Sequence, residues 1–444
     1  MNRRKFLATS TTAALAPLVL PAGRLFGAEA PSNKLNLALL GAYGRGHAHW
    51  DVLATQNVLA LCDVNEKHLA LAGERFPAAR RYVDWRECLE HPDLDGVVVC
   101  TLDHTHAMIA LRALQRNLHI YLEKPLAITV EEARLVRAAW LARRDRVATQ
   151  VGTQRHAHPN FNRIRELIRD GAIGELEEAC AWGDRQYRRK GHPPAQGEPP
   201  PELHYDLWLG PARDHPYNPE YFAGGVGMNC LQWNMYWDFG AGQVGDMGAH
   251  TMDLVWNAID ATHPTSAAAT GEPFNPEVTP VELAAHFEHP ANDWRPAIKV
   301  SWYQGGLLPE TPLKWVDLRK IGHGALFSGT RGYLVCDFTN RLLIPLGARA
   351  DFTYYRRRAE ADVLPTMKGF VEEWFAACRD PKRVRTSCDF DYNGLMTEQQ
   401  MLGLAAYRAG KKLVYDGKTG RVTNDESANQ FLRRNYRDGW PLQA

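Results

Sequence analysis

The chain has almost no net charge: among 444 residues, 52 Lys and Arg stand against 51 Asp and Glu. Nucleic-acid surfaces need a basic excess, and the most basic stretch is RQYRRK, starting at Arg185. It reads as a solvated loop or an anionic-ligand contact, and no nucleic-acid partner is expected. Long apolar runs are missing too. Phe6 to Leu20 is short and broken by Thr and Pro, so no membrane span is expected in the mature chain. Cysteine is sparse and scattered. None of the eight has zinc-site spacing, and they read as buried thiols, with a disulfide left open to an exported protein. No internal repeat occurs. Trp and Tyr are plentiful, at 13 and 16, which suits either ordinary cores or stacking on sugar rings.

Residues 1–30 stand apart. Arg3, Arg4 and Lys5 precede an apolar stretch, and small residues follow at Ala28 and Ala30, the layout of a signal peptide cleaved after one of them. Paired arginines before Lys5-Phe6-Leu7 resemble a twin-arginine signal, with a generic export signal as the alternative. The expected location is therefore periplasmic or extracytoplasmic, reached in folded form through the twin-arginine machinery. Removing residues 1–30 takes away four bases and one acid and moves the formal charge from +1 to −2.

From Lys34 the pattern alternates apolar runs with amphipathic ones. Leu35–Gly41, Asn57–Asn65, Leu94–Thr101, His119–Pro125 and Arg146–Thr153 read as strands, and Asp103–Arg116 and Thr129–Leu141 as helices. Such strands predict an α/β fold, a doubly wound parallel Rossmann sheet over residues 33–155. After His156 the texture predicts an α+β domain over 156–444 with a large open, mixed or antiparallel sheet. Its strand candidates include Val281–His289, Ala297–Gln304, Gly332–Phe338 and Arg349–Tyr355, and its helices Asn162–Arg169, Gly248–Ile259, Met367–Asp380 and Leu395–Ala409. The C-terminal helices are candidates to pack back on the first domain. The open sheet face suggests a homo-oligomer. The Pro-rich stretch Arg188–Asp206 reads as an irregular arm over the site or a neighbouring subunit.

The segment after the first strand, GAYGRG, has one glycine fewer than the usual G-x-G-x-x-G. Gly41 fits the tight turn and Gly46 the close helix–strand contact, but Tyr43 holds the middle place. Either the turn is re-registered around Gly44, or Tyr43 points outward and the backbone still presents its amides to a pyrophosphate. Arg45 either leans on that pyrophosphate or is solvated. Asp63, 22 residues after Gly41, suits the adenosine ribose and would repel a 2′-phosphate, which favours NAD over NADP; the alternative is a cap for the helix from Asn65.

Glu123 and Lys124 emerge at a strand end, where ligand crevices form. A lysine there can hydrogen-bond a reacting hydroxyl. Asp103, His104 and His106 sit at the next crevice edge, with His104 read as surface capping. Asp246 and His250 are four apart and share a face if helical. A histidine suits proton transfer near neutrality, with Asp246 or Asp253 to orient it. A metal there lacks an evident third ligand, so none is expected.

The turn together with TLDHTHA, LEKPLA, GTQRH, DLWLGPA, GDMGAHTMD and DESANQFLRRNYRDGW resembles the Gfo/Idh/MocA oxidoreductases, specifically an exported twin-arginine branch. The resemblance implies NAD-dependent oxidation or reduction at a ring carbon of a sugar or cyclitol. It implies Lys124, Asp246 and His250 as catalytic residues; Gly41, Tyr43, Gly44, Arg45, Gly46, Asp63, Thr101, His106, Glu123 and Lys124 on the cofactor; and Gln154 and Arg155 near the substrate. Trp208, Tyr217 and Tyr221 are candidates to stack on the sugar or to pack. Leu102 replaces a proline common in that family. The expected activity is hydride transfer to or from a secondary hydroxyl of a hexose, cyclitol or glycoside, with the cofactor retained through export. The alternatives are an NAD-dependent glycoside hydrolase working by transient oxidation and elimination, and a non-catalytic sugar- or nucleotide-binding protein.

Overall fold

A computed structural model describes residues 33–225, 230–310, 314–347, 350–356 and 358–443. The signal-peptide reading of residues 1–30 lies outside the described residues. No helix among those described is long and apolar enough to cross a membrane.

Strands β1 (Asn36–Leu40), β2 (Asn57–Cys62), β3 (Arg80–Tyr82), β4 (Gly96–Val99), β5 (His119–Leu122) and β6 (Thr149–Val151) form a parallel sheet in the order β3-β2-β1-β4-β5-β6. The physical reason lies in β1. Leu37 and Leu39 enter one buried cluster and Ala38 and Leu40 another, so alternate side chains fill opposite faces. A strand buried on both sides must be apolar throughout, and each buried leucine contributes about 1.5–3 kcal/mol. Helices α1 (Glu66–Arg75), α2 (His106–Gln115) and α3 (Val130–Leu141) connect the strands. Succession runs outward from β1 to β3, then returns to β4 and runs the other way. The crevice belongs at that switch, between the ends of β1 and β4. β3 escaped the sequence reading because it is three residues long, at an edge, and two of them are exposed arginines.

Helix α4 (Pro159–Arg169) leads into a nine-stranded mixed sheet. Its strands are β7 (Leu176–Gly183), β8 (Ser266–Gly271), β9 (Leu283–His289), β10 (Ile298–Gln304), β11 (His323–Gly329), β12 (Gly332–Cys336), β13 (Arg341–Pro345), β14 (Leu413–Asp416) and β15 (Arg421–Val422), in the order β13-β12-β11-β7-β10-β9-β8-β14-β15. Only β7 and β10 pair in parallel. Helix α5 (Ala249–Ile259) packs on one face of the sheet, through Leu254, Val255 and Trp256. Opposite, Trp182, Leu326, Val335 and Ile344 gather under Leu318.

The strand expected over Arg349–Tyr355 does not form. Among its described residues, Thr353–Tyr355 is a 3₁₀ turn. The Asp351 carboxylate accepts from Thr353 N at 2.8 Å and Oγ1 at 2.6 Å, a local turn that competes with a ladder. Strand β8, with the sequence SAAATG, carries little strand propensity and is made by its neighbours.

Helices α6 (Phe370–Arg379) and α7 (Tyr392–Ala409) return to the first sheet. Phe370, Trp374 and Phe375 share a core with Leu37, Leu39 and Tyr121. Val151 N donates to Cys388 O at 2.9 Å, which covers the open edge of β6. Arg134 on α3 reaches Glu398 on α7 at 2.7 Å. Segments distant in the chain thereby join the second domain to the first. Cys62, Cys88, Cys100, Cys180, Cys336, Cys378 and Cys388 are buried thiols.

Candidate active site

The glycine turn is re-registered. Gly41 and Gly44 take φ +74° and +60°, the left-handed region where a side chain is strained. A methyl on Gly41 would overlap the Cys100 carbonyl after β4, and one on Gly46 the Gly41 carbonyl. Gly41 N and Ala42 N donate to Cys62 O at 2.8 and 3.1 Å. The amides of Tyr43, Gly44 and Arg45 serve no hydrogen bond among the described residues and stand at the cavity wall. Tyr43 leans sideways, its ring centroid 5.0 Å from that of His68 and 5.9 Å from that of Trp50. The missing middle glycine is thus replaced by a positive-φ residue one place later and an aromatic seat for the extra side chain. These features fit a dinucleotide phosphate group.

Asp63 ends β2 on the same wall. Its Oδ1 accepts from Asn65 N at 3.0 Å. The cap of α1 is Asn65, whose side chain accepts from Lys67 N, so the capping alternative for Asp63 falls away. Glu123 is different from its expected role. It is buried, with Arg45 Nε and His49 Nε2 each 2.8 Å from Oε1. Burial alone would raise its pKa, yet Arg45 and His49 hold it at about 2. Glu123 therefore anchors Arg45 through its Nε, while the Arg45 side chain stays 38% exposed on the cavity wall. His106 is likewise redirected: Nδ1 lies 2.7 Å from Pro125 O and Nε2 3.1 Å from Thr101 O. It ties the ends of β4 and β5 together at the cavity wall, which it lines. Thr101 receives the Thr105 hydroxyl at 2.8 Å.

At the far end, residues from both domains converge. Lys124 Nζ donates to Asp246 Oδ1 at 2.5 Å, and Arg185 Nη1 donates to Asp246 Oδ2. Asp246 lies in a π-helical turn, Val244–Gly248, that runs directly into α5 and carries His250 one turn on. Lys124, Asp246 and His250 line the same cavity as Asp63 and the glycine turn. Burial opposes the charge on Lys124, but Asp246 keeps its pKa above the usual lysine range. Asp246 itself stays below the usual range despite burial, through Lys124 and Arg185. Burial, then Lys124, pushes His250 down to about 3, and its buried Nδ1 has no hydrogen-bond partner. The result is a protonated amine beside a neutral imidazole. A neutral imidazole has the free lone pair that accepting a hydroxyl proton needs.

Asp103 joins this group. Burial, with Asp246 adding to it against Lys124, raises its pKa to about 8. An unfolded aspartate releases its proton near 3.9. Between those values the folded chain holds a proton that the unfolded chain has lost, so this group lowers stability as pH rises from about 4 to about 8, and the cost is constant above. Asp103→Asn is expected to gain stability relative to the parent over that interval, measured by denaturant unfolding at pH 5, 7 and 9. A constant difference across the three would refute the shifted ionisation.

Other expectations need correction. Gln154 and Arg155 line the cavity; Gln154 Oε1 is buried without a hydrogen-bond partner, and the Arg155 guanidinium sits 4.3 Å above the Phe338 ring. Trp208 and Tyr221 touch the cavity but belong to an aromatic cluster. Trp208 stacks on Tyr205 at 5.6 Å, and Tyr221 is fully buried, so neither offers a free face for a sugar. Tyr217 is not among the lining residues; it packs edge-on to Tyr205. His104 is fully buried rather than on the surface, with Nε2 3.0 Å from Leu209 O. Asp253 does not face His250. It is held by His156 Nδ1 at 2.9 Å and by Tyr392 OH at 2.5 Å. Sequence reading missed Arg185, whose only signal was its place in the basic run, and Trp233 and Met247, which carry none. The arm after Arg188 does roof the cavity, through Leu203, which pairs with Asn65.

Comparison with known proteins follows this geometry. Residues 35–153 match the family GFO_IDH_MocA, described as "Oxidoreductase family, NAD-binding Rossmann fold", and residues 181–277 match its "C-terminal alpha/beta domain". The first domain is an NAD-binding Rossmann fold. Levoglucosan dehydrogenase of Pseudarthrobacter phenanthrenivorans is 30% identical over 154 residues, 32% of this chain and 39% of that protein. Myo-inositol 2-dehydrogenase of Thermotoga maritima is 28% identical over 138 residues, 31% and 40% of the two chains. The chain thus spans about two fifths of the length of these curated relatives. Among solved structures, the WlbA dehydrogenase from Bordetella pertussis, in complex with NADH and UDP-GlcNAcA, superposes with TM-score 0.60 at 14% identity, over 86% of this chain and 99% of that one. A levoglucosan dehydrogenase in complex with NADH and levoglucosan gives 0.54 at 16% identity, over 85% and 98%. Those structural likenesses concern the fold. The two family matches support assignment to the Gfo/Idh/MocA oxidoreductases.

Proposed function

We propose that this chain, as a Gfo/Idh/MocA oxidoreductase, transfers hydride between NAD and a secondary hydroxyl of a hexose, cyclitol or glycoside. The observation that carries this reading is the Lys124–Asp246 pair at 2.5 Å with His250 one helical turn away, on the cavity that begins at Asp63. A bound nicotinamide would supply the hydride acceptor or donor. Gly41, Gly44 and the amides of residues 43–45 hold the phosphates, and Asp63 the adenosine ribose. Lys124, kept protonated by Asp246, donates a hydrogen bond to the reacting oxygen as charge builds on it. His250, kept neutral, takes the hydroxyl proton in oxidation and gives it back in reduction. Arg185 holds Asp246 from the other side, so the carboxylate orients Lys124 instead of competing for the proton.

The deciding measurement incubates nucleotide-loaded protein with hexoses, cyclitols and aryl glycosides. A keto product is expected. Aglycone release without a keto product would favour the glycosidase alternative, to which the dehydrogenases above lend no support. The argument for a non-catalytic scaffold was Tyr43, and its ring leans on His68 and Trp50. Part of the same proposal is export by the twin-arginine route with NAD retained, which predicts about one nicotinamide per natively purified chain by mass spectrometry. So is self-association through the second sheet, where Leu342 and Leu346 are exposed at β13; a monomer by sedimentation would reject it.

Nucleotide choice gives a separate prediction. A carboxylate hydrogen bond to a ribose hydroxyl contributes about 1.5–3 kcal/mol. Asp63→Ser is expected to weaken NAD binding about tenfold or more, and to bring the NADP affinity closer to it by removing repulsion. Calorimetry on nucleotide-stripped protein reads both; unchanged selectivity would remove Asp63 from the cofactor site.

A further inference from the structure

Three side chains outside the active site converge without a role in it. His192 lies on the irregular arm, His215 follows the helix Tyr205–Leu209, and Asp238 follows the helix Cys230–Trp233. His215 Nε2 is 2.8 Å and His192 Nε2 3.9 Å from Asp238 Oδ2. The imidazoles stack at 3.8 Å and 23°, and one donor atom from each of the three residues lies within 4.8 Å of the others. His192 Nε2 is buried and has no hydrogen-bond partner. Its other nitrogen, Nδ1, is 2.9 Å from the Tyr221 hydroxyl, and its ring stacks on Tyr236 at 4.4 Å.

We propose that His192, His215 and Asp238 form a binding site for one divalent transition-metal ion of the zinc class, which fastens the arm to the wall of the active-site cavity. Two imidazoles and a carboxylate are a donor set such ions take, with water completing the fourth position. Donor atoms around tetrahedral zinc stand about 3.3 Å apart, close to the observed separations, but the rings stack at 23°, so His215 must turn out of the stack to aim its Nε2 lone pair at the ion that His192 faces. With Nδ1–H donating to the Tyr221 oxygen, the Nε2 lone pair of His192 faces the ion, the outer-shell arrangement metal-bound histidines use. Arg213 also reaches Asp238 Oδ2, at 2.9 Å, but its side chain is 67% exposed and free to turn into solvent. The sequence expectation of no metal rested on cysteine spacing and on the lack of a third ligand beside Asp246 and His250. Here 22 residues separate His192 from His215 and 22 separate His215 from Asp238, which matches no short ligand motif. The ion reaches the active site through Tyr221, which bonds His192 and lines the cavity.

The test uses the full chain after chelator dialysis. Zn²⁺ is titrated by calorimetry, and Co²⁺ by its visible absorption. About one equivalent is expected to bind, with a rise in Tm and the strong absorption of tetrahedral cobalt. His192→Gln and His215→Gln are each expected to weaken binding about 100-fold and to abolish the Tm gain, while Cys388→Ser, at the separate His156–Asp253–Cys388 group, leaves both unchanged. No binding at micromolar Zn²⁺, or equal binding by the parent and both histidine variants, would overturn the site. Loss in Cys388→Ser with retention in His192→Gln would move the ion to the other group and overturn it equally.

Discussion

Lys124→Met is expected to lower turnover about 10²- to 10³-fold, the range for removing one donor from a developing oxyanion. The amine is the group held charged inside the cavity, and Met fills its volume without a donor. The fold should survive. Breaking a buried ion pair costs about 3–5 kcal/mol when the partner is left alone, but Asp246 keeps its bond from Arg185. The loss of stability should therefore fall below that range. The double variant Lys124→Met/Asp246→Asn separates the effects. It should recover little stability, because Asp246 is still paired in the single variant and Arg185 loses its carboxylate in the double one, and it should not recover turnover. Single-turnover rates and urea unfolding on both variants supply the data. Turnover within threefold of the parent would mean that Lys124 only holds Asp246.

His250→Asn should cost about 10²- to 10⁴-fold in kcat, the usual value of a positioned acid or base, while the affinity for NAD is unchanged. With its pKa held near 3 by burial and Lys124, the parent imidazole stays neutral from about pH 4 upward. Oxidation should then show no acid limb between pH 5 and 8 attributable to His250. Stability carries the opposite mark. Below an unfolded pKa near 6.5 the unfolded chain gains a proton that the folded chain refuses until about pH 3. This group therefore destabilises the fold progressively as pH falls from 6.5 to 3, and the variant lacks that loss. Relative to the parent, His250→Asn should be more stable at pH 4 than at pH 8. A pH-independent difference would contradict a depressed imidazole, and an unaltered kcat would end its proton-transfer role.

Legibility differed from residue to residue for physical reasons. Lys124 was readable because a strand end in a doubly wound sheet has one destination, and Asp246 and His250 because helical spacing puts them on one face. Glu123 was misread since its partners, Arg45 and His49, lie 78 and 74 positions earlier in the chain. Arg185 was passed over because a basic run looks the same whether it meets solvent or a buried carboxylate. Tyr217 and Tyr221 were left between stacking on a sugar and packing, because composition does not reveal that their faces already have aromatic neighbours.

By itself the sequence determined the parallel sheet and the tight turn after its first strand, because a strand buried on both faces must be apolar throughout and a tight turn must place residues at positive φ; the strand order and its switch point came from the tertiary structure. Tertiary structure alone decided which glycine carries the missing conformation, which carboxylates are paired and which histidines are neutral. Those properties depend on distance and burial among residues far apart in the chain, and local pattern holds no record of either.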